Sequence, residues 1–528
     1  MTSPSLSIKC FLYGVLVLVF SFILQFIAFD TNINFYDDGI ILVGAQRVLA
    51  GELPYKDFWT MYSPGQFYLI AYFFKYFGES VFWLKFLGIV SKSLIACVSF
   101  FYLAKYVKFH SSIVISVFLT LLLIAVRNDA FPVFPSLACS MIAIYLISEN
   151  EKSSFLSFFF CGLFTGCSTI FRHDIGFYTF LTIMALLPIE FILNKNNFYG
   201  CYRELLKKYI LLFLGIALVF IPVLFFFLQR VGLNELYFNL IYFPSEVYIL
   251  TRSLPFPNVF EIDKFYYINY AVYFPFVIVL PAIFFIWLKA NENIARFFSL
   301  LLVFSCLLSV KGLVRVEFIH MLQAIVISII LLFIMMFYFF KKRFLMISSF
   351  VFLITAFFVL PIFISSVFFF KTNIAQQFQL EKLSLLSCLD SIGLSNNCFS
   401  IDPKYKAALM YVAENTEEND YLYIGPSRHD KIYINPIALY FLADRKPFTK
   451  WHESHPGLQT TKSIQQKMIG EMASQPPKLI ILDSQWDNVS EPNHSSVSSE
   501  IYDLDIYISE NYFTVQEFGS LKVLKRNE

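Results

Sequence analysis

A helix of about 17–25 apolar residues crosses a hydrocarbon layer, and a chain in which such runs recur has few folds open to it. Here about eleven runs of that kind follow one another from Phe11 to Phe370. They lie at 11–29, 81–104, 111–126, 131–148, 155–171, 174–193, 210–229, 268–288, 297–310, 321–340 and 344–369, with short polar breaks between them. Every backbone N–H and C=O in lipid must find its partner within the segment, so the runs predict helices. The first run follows Lys9, is long for a signal-peptide core and lacks a small-x-small cleavage site, which predicts a retained span. Hydrophobic residues make up 58% of the chain and charged residues only 15%, against about 25% charged in ordinary globular domains. Disordered, collagenous and disulfide-scaffold classes are excluded on the same grounds.

That shortage of charge is local. Residues 1–370 carry 25 basic and 18 acidic side chains, whereas 371–528 carry 15 and 20 in less than half the length. The chain therefore divides into a membrane part, 1–370, and a soluble tail, 371–528. In the tail, helical patterns at 404–415, 435–443, 460–474 and 499–511 alternate with strand-like runs at Tyr421–Ile424, Leu479–Leu482, Phe513–Phe518 and Leu521–Leu524. Such alternation predicts an α/β domain with a partly parallel sheet. The expected fold class is thus an α-helical polytopic membrane bundle with a C-terminal soluble α/β domain. Lys and Arg in the short loops set the expected orientation. Lys105, Lys108, Lys195 to Lys208, Lys289, Arg296 and Lys341 to Arg343 fall on one side, read as cytosolic. With the N-terminus inside and an odd number of spans, the long loops 30–80 and 230–267 and the tail lie outside. The charge pattern offers no basic surface for nucleic acid.

The first outside loop reads Phe35-Tyr36-Asp37-Asp38-Gly39, then Ala45-Gln46-Arg47, Gly51, Pro54-Tyr55-Lys56-Asp57 and Tyr62-Ser63-Pro64-Gly65. Two adjacent acids just beyond a span are costly to hold near lipid without a role. Ile40, Ile41, Val43, Val48 and Leu49, between the acids and Gly51, suit a short helix lying in the interface, with the acids facing a lipid-borne group. An Asp at a helix start also serves as a plain N-cap, without chemistry. Asp129 precedes the span that starts at Phe131, and Arg172-His173-Asp174 stands between two apolar runs with almost no room for a loop. Arg172 suits a phosphate because its fork makes two charge-assisted bonds, and His173 adds a third contact. The plainer alternative is an Arg172–Asp174 pair closing the helix ends. Lys311, Arg315, Glu317 and His320 form a comparable group at the next-to-last outside turn. Either set suits an anionic lipid headgroup.

The stretch from Asp37 to Gly65 resembles the first-loop motif of the GT-C glycosyltransferases, integral-membrane enzymes that use lipid-linked sugars. The likeness is strongest to the bacterial branch related to protein mannosyltransferases and aminoarabinose transferase. The many spans, inside N-terminus and outside tail extend the resemblance to the whole architecture. It implies that the first-loop acid is the catalytic base, which falls on Asp37 or, by a one-residue ambiguity, on Asp38. It also implies that Asp129 is the second-loop acid, orienting the acceptor or the base. Arg47, Tyr55, Lys56 and Tyr62 of the first loop are expected on the rim of the substrate cavity. One departure matters: relatives place a Lys just before a Pro pair, on the lipid phosphate, where this chain has Tyr62-Ser63-Pro64-Gly65. Phosphate binding is then expected from Arg172, His173, Arg315 and His320.

In the tail, the run from Ala443 to Glu453 is dense in polar and aromatic residues. Arg445, Trp451 and His452 are expected on the cavity rim, a solvated loop being the plainer alternative. Cys388 and Cys398, in a compartment read as oxidising, are expected to form a disulfide. The nine Cys show no metal spacing; no cofactor is expected, a divalent metal being left open. The expected function is that of an inverting hexosyl- or pentosyltransferase. It moves a sugar from a polyprenyl-phosphate donor to a cell-envelope acceptor, whether glycan, lipid or protein, at the outer face of a bacterial inner membrane. A transporter or flippase of a lipid-linked or anionic glycan, and a non-catalytic assembly subunit, are the alternatives. A transporter calls for polar residues through the depth of the bundle, where Lys85 and Lys92 in the second span are the exceptions to a charge-poor interior.

Overall fold

The computed structural model describes residues 4–126, 129–148, 154–193, 198–258, 267–288, 292–341, 345–379 and 399–527. Every apolar run read from the sequence is helical in it. Among the described residues, eight helices are long and apolar enough to cross a membrane: Ile8–Ile27, Val81–Ala104, His173–Ile192, Leu206–Arg230, Asn269–Trp287, Ile294–Gly312, Phe318–Lys341 and Ser349–Gln376. Three shorter apolar helices, Phe109–Ala125, Val133–Ile147 and Phe155–Phe171, pack among them. The Phe318–Lys341 helix is mostly buried, whereas Leu206–Arg230 turns outward. Its Leu214, Leu218, Ile221 and Phe225 form an exposed apolar stripe, which suits lipid and would be unfavourable in water. Gly162 and Gly215 let the Phe155–Phe171 and Phe198–Arg230 helices touch backbone to backbone: a Cβ on Gly162 would lie 2.1 Å from the Leu212 carbonyl oxygen. In lipid, where hydrophobicity does not drive helices together, such close packing does.

The tail is built on a five-stranded sheet of order β2-β1-β3-β5-β4, with β1 at Tyr421–Pro426, β2 at Lys446–Pro447, β3 at Leu479–Asp483, β4 at Tyr512–Phe518 and β5 at Leu521–Arg526. β2, β1 and β3 are parallel, and β5 and β4 continue the sheet antiparallel. Side chains alternate between its faces as the two-residue period of a strand requires. Tyr423, Ile480 and Leu482 meet Met468, Met472, Leu504 and Ile508 of two tail helices, Lys462–Ser474 and Asp503–Asn511. Leu422, Ile424, Leu479 and Ile481 join a second core that runs on without a break into Ile40 to Val43 of the first loop and Val81 to Leu84 of the second span. The tail therefore shares its core with the membrane part. The Leu360–Gln379 helix carries the chain past residue 370; Cys388 and Cys398 lie outside the described residues.

The Asp37–Leu49 helix forms where a short helix was expected, but it does not lie open on the membrane surface. Asp38 to Ala45 are buried, because the Gly65–Phe77 helix packs along them and the tail helix Ala438–Ala443 covers what that leaves. Gly39 permits this approach: a Cβ there would sit 2.3 Å from the Ala438 nitrogen, which donates to the Phe35 carbonyl at 2.8 Å. A second strut runs from Ser400 N to Thr31 O at 2.9 Å. Gly39→Val has no room without moving backbone, and overpacking of this kind costs about 1–3 kcal/mol or more. The expected result is a lowered melting temperature together with faster proteolytic release of the tail, while an exposed control, Lys56→Ala, leaves both unchanged.

Candidate active site

Asn34 sends the two adjacent acids in opposite directions. Its side-chain oxygen accepts from Tyr36 N (3.1 Å) and Asp37 N (3.0 Å), and its amide donates to Asp37 Oδ2 at 2.9 Å. Its backbone N–H donates to Asp38 Oδ2 at 3.0 Å. The acids are thus the first two helical residues, where negative charge is favourable, and Asn34 supplies the capping bond to Asp37 N that an N-cap Asp was expected to make. Asp37 is half-buried, whereas Asp38 is fully buried.

Asp38 faces the second span. Lys85 Nζ lies 3.3 Å from Asp38 and 3.4 Å from Asp129, and Lys92 Nζ lies 2.7 Å from Asp129. Lys85 also donates to Asn32 O (3.1 Å) and Lys92 to Val126 O (2.7 Å). The four are at most 6% exposed and sum to no net charge. Burial pushes the Asp38 carboxyl up against the pull of Lys85. At Asp129 the same burial is outweighed by Lys92 and Lys85, which hold it below the usual carboxylate range.

Asp37 instead lines a cavity of about 770 Å³ between the first loop, the Arg315–His320 turn and the tail. Arg252, Arg315 and His320 also line it, with Glu317, Tyr62 and Tyr248. Arg315 is clasped by two carboxylates, Glu317 at 3.0 Å and the tail's Glu491 at 2.6 Å. Arg252 stacks 4.8 Å over the Tyr433 ring, donates to the Tyr433 carbonyl and lies 3.9 Å from Glu491. Behind the wall, Arg172 pairs with Asp174 at 3.0 Å and sits 5.5 and 5.4 Å from the Tyr62 and Phe131 ring centres. Ser63 accepts from His173 N at 3.0 Å and meets its Nδ1 at 3.0 Å. His173 is thereby held to the loop, and Arg172 reaches the cavity only through the two rings it stacks on.

Of the residues expected on the rim, Tyr62 lines this cavity. Arg47 and Arg445 line a second hollow of about 340 Å³ at the other end of the Asp37–Leu49 helix. Arg47 is drawn there by its bonds to Thr449 O and His452 Nδ1, each at 3.1 Å. Tyr55 is fully buried at a φ of 72°, its hydroxyl donating to Tyr62 O at 2.8 Å. Trp451 and His452 are buried where the loop meets the tail, and Lys56 is exposed.

Sequence reasoning passed over Asn34, Arg252 and Glu491, and met Glu453 only as the end of the polar run that begins at Ala443. Arg252, a lone cation in an aromatic and apolar stretch, carried a signal of its own; the others did not. Glu453 is 1% exposed; one oxygen accepts from the Tyr36 hydroxyl at 3.4 Å and the other has no hydrogen-bond partner among the described residues. Burial, with the Asp37 charge adding to it, pushes this carboxyl up to about 8, against the Tyr36 bond and Arg252. Among the described residues no group of three or more His, Cys, Asp or Glu is placed to hold a metal ion.

No protein-family model and no curated protein sequence matches the chain. Solved structures do. The chain is similar to ArnT from Cupriavidus metallidurans bound to undecaprenyl phosphate, with a TM-score of 0.55 at 10% identity over 97% of each chain. It is also similar to the archaeal oligosaccharyltransferase AglB from Archaeoglobus fulgidus in complex with an inhibitory peptide and a dolichol-phosphate. There the TM-score is 0.56 at 12% identity, over 98% of this chain and 74% of that one. The Archaeoglobus fulgidus oligosaccharyltransferase tethered to an acceptor peptide with the NVT sequon gives 0.53 at 12% identity, over the same shares. At such identities the likeness is one of fold.

Glu453 yields a pH dependence. Its carboxyl holds a proton in the folded protein up to about pH 8 but loses it near 4.3 when unfolded. The native state therefore binds more protons between those values, and stability falls as pH rises from about 4.3 toward 8. Glu453→Gln, which keeps the neutral form, is expected to flatten this fall in a thermal melt series from pH 5 to 8.5. An unchanged slope refutes the assignment.

Proposed function

From the GT-C fold that the chain shares with these enzymes, we propose that it is a membrane glycosyltransferase acting on a polyprenyl-phosphate-linked sugar. The observation that carries this reading is one cavity with a half-buried carboxylate, Asp37, the cations Arg252 and Arg315, and the imidazole of His320 around it. ArnT and AglB, holding undecaprenyl phosphate and dolichol-phosphate, support the donor class. An acceptor hydroxyl attacks the anomeric carbon opposite the phosphate, the carbon–oxygen bond to polyprenyl phosphate breaks, and Asp37 takes the hydroxyl proton. The guanidinium groups take up charge on the departing phosphate. A single displacement inverts the anomeric centre. Asp38 and Asp129, tied to lysines and away from the cavity, position the loops. Lys85 and Lys92, the polar residues a transporter would use at depth, are each neutralised by a carboxylate, which favours the transferase. The Lys and Arg bias of the short loops supports a cytoplasmic N-terminus with the tail on the outer face; the setting proposed with it is a bacterial inner membrane, and the acceptor a cell-envelope glycan, lipid or protein.

Asp37→Asn keeps size but removes the basic oxygen, so sugar transfer in reconstituted vesicles is expected to drop about 10²–10⁴-fold with undecaprenyl phosphate binding retained. Arg315→Ala should weaken that binding. A folded Asp37→Asn protein with near-normal transfer would falsify the role. An export-dependent reporter fused after Glu528 is expected to be active; activity only of a cytosol-dependent reporter reverses the orientation.

A further inference from the structure

The cavity has two unlike walls. The cations come from the membrane part, whereas among the described tail residues that line it, which include Asp402, Tyr405, Tyr433, Asn435, Gln485 and Trp486, there is no Lys or Arg. Their place in the tail fold is informative. From β1 the chain crosses to β2 on one side and then to β3 on the other, so the sheet reverses its winding between β1 and β3. The crevice beyond the carboxyl ends of strands at such a reversal is where open α/β sheets take ligands. Pro426 and Asp483 are the paired last residues of those strands. Gln485 and Trp486 follow β3 directly, and Tyr433 lies on the loop after β1.

The chemistry at that crevice is aromatic and hydrogen-bonding. The Tyr433 and Trp486 rings lie 5.9 Å apart at 34°, and Arg252 over Tyr433 fixes one face of the pair. Tyr405 is held by Phe35, stacked at 4.2 Å, and by Asp483 at 2.9 Å. The Gln485 carbonyl oxygen accepts from Lys404, and among the described residues nothing accepts from its side-chain amide N–H groups. Aromatic faces attract the polarised C–H groups of a sugar ring, and amide and carboxylate neighbours take its hydroxyls. Arg252 beside this wall already has Tyr433 and Glu491, and Lys404, which does not line the cavity, is engaged by Gln485 and Ser520; a phosphorylated acceptor would meet the Asp402 carboxylate and no cation without a partner.

We propose that this wall is the acceptor subsite and that it takes an uncharged sugar ring, stacked on Trp486 and Tyr433 and hydrogen-bonded by Gln485 and Asp402. The acceptor is then a neutral glycan. This rests on the transferase reading above, with the donor phosphate at the cationic wall and Asp37 between the two.

Ligand-observed NMR on the purified full-length protein tests it, with maltohexaose, cellohexaose, chitohexaose, a lipid A fraction and an Asn-Val-Thr peptide as probes. Undecaprenyl phosphate binding is measured in parallel. At least one neutral hexasaccharide is expected to bind. Trp486→Ala should weaken it tenfold or more and Trp486→Phe much less, with undecaprenyl phosphate affinity unchanged. Gln485→Ala, at an exposed side chain, should weaken it as well and guards against misfolding of the tryptophan variant. Absence of hexasaccharide binding, indifference to both substitutions, or displacement by lipid A or peptide at lower concentration overturns the proposal. So does loss of binding in Asp37→Asn, which would place the sugar in the donor pocket. Failure of the wild type to bind undecaprenyl phosphate while a hexasaccharide still binds counts instead against the transferase reading.

Discussion

A lysine inside a membrane span has to be neutralised, and in this protein that requirement orients the first loop. Lys85 is fully buried in the Val81–Ala104 helix, and an unpaired charge there would cost several kcal/mol. Asp38 and Asp129 reach it from two different loops, so the start of the Asp37–Leu49 helix cannot turn. Neighbouring helical residues point about 100° apart; with Asp38 committed to Lys85, Asp37 is left toward the cavity. Lys92, two turns further along the same face, anchors Asp129 a second time.

The tail is fixed by the same kind of economy of partners. Its helix Ala438–Ala443 completes the burial of the first-loop helix, and its sheet shares a core with the second span. Glu491 clasps Arg315, and Asn493 donates to Ser253 O at 3.0 Å. These contacts hold the reversal point of the sheet against the cavity, so the tail forms part of the wall and not merely a cover.

Runs of apolar residues made the helices legible, because length and hydropathy are local properties. Four strands of the tail were legible for the same reason; β2, two residues inside a polar run, was not. The choice between Asp37 and Asp38 was not, since neighbouring acids look alike until the position of Lys85 is known. The first-loop helix read as interfacial because nothing in residues 37–49 announces that Ala438–Ala443 will cover it. Trp451 and His452 read as rim residues on polarity alone, yet the bonds from Arg47 and the packing around Trp59 draw them inside. Arg315 and His320 were visible as charges at a span end, but the Glu491 and Glu453 contacts join residues hundreds of positions apart and leave no local trace. Ser63 was legible only as a departure from the motif the first loop resembles; that it would hold His173 was not.

On the transferase reading proposed above, the clasp on Arg315 has a consequence for turnover. The guanidinium already has two carboxylate partners in Glu317 and Glu491, so an arriving phosphate exchanges with a resident anion. Its affinity is then the difference between two sets of charge-assisted bonds. Because Glu491 is part of the same chain, it competes at a fixed, high effective concentration whatever the amount of lipid in the membrane. An anion held in that way is captured weakly and expelled readily, and the arginine is returned to its resting partners by the fold itself.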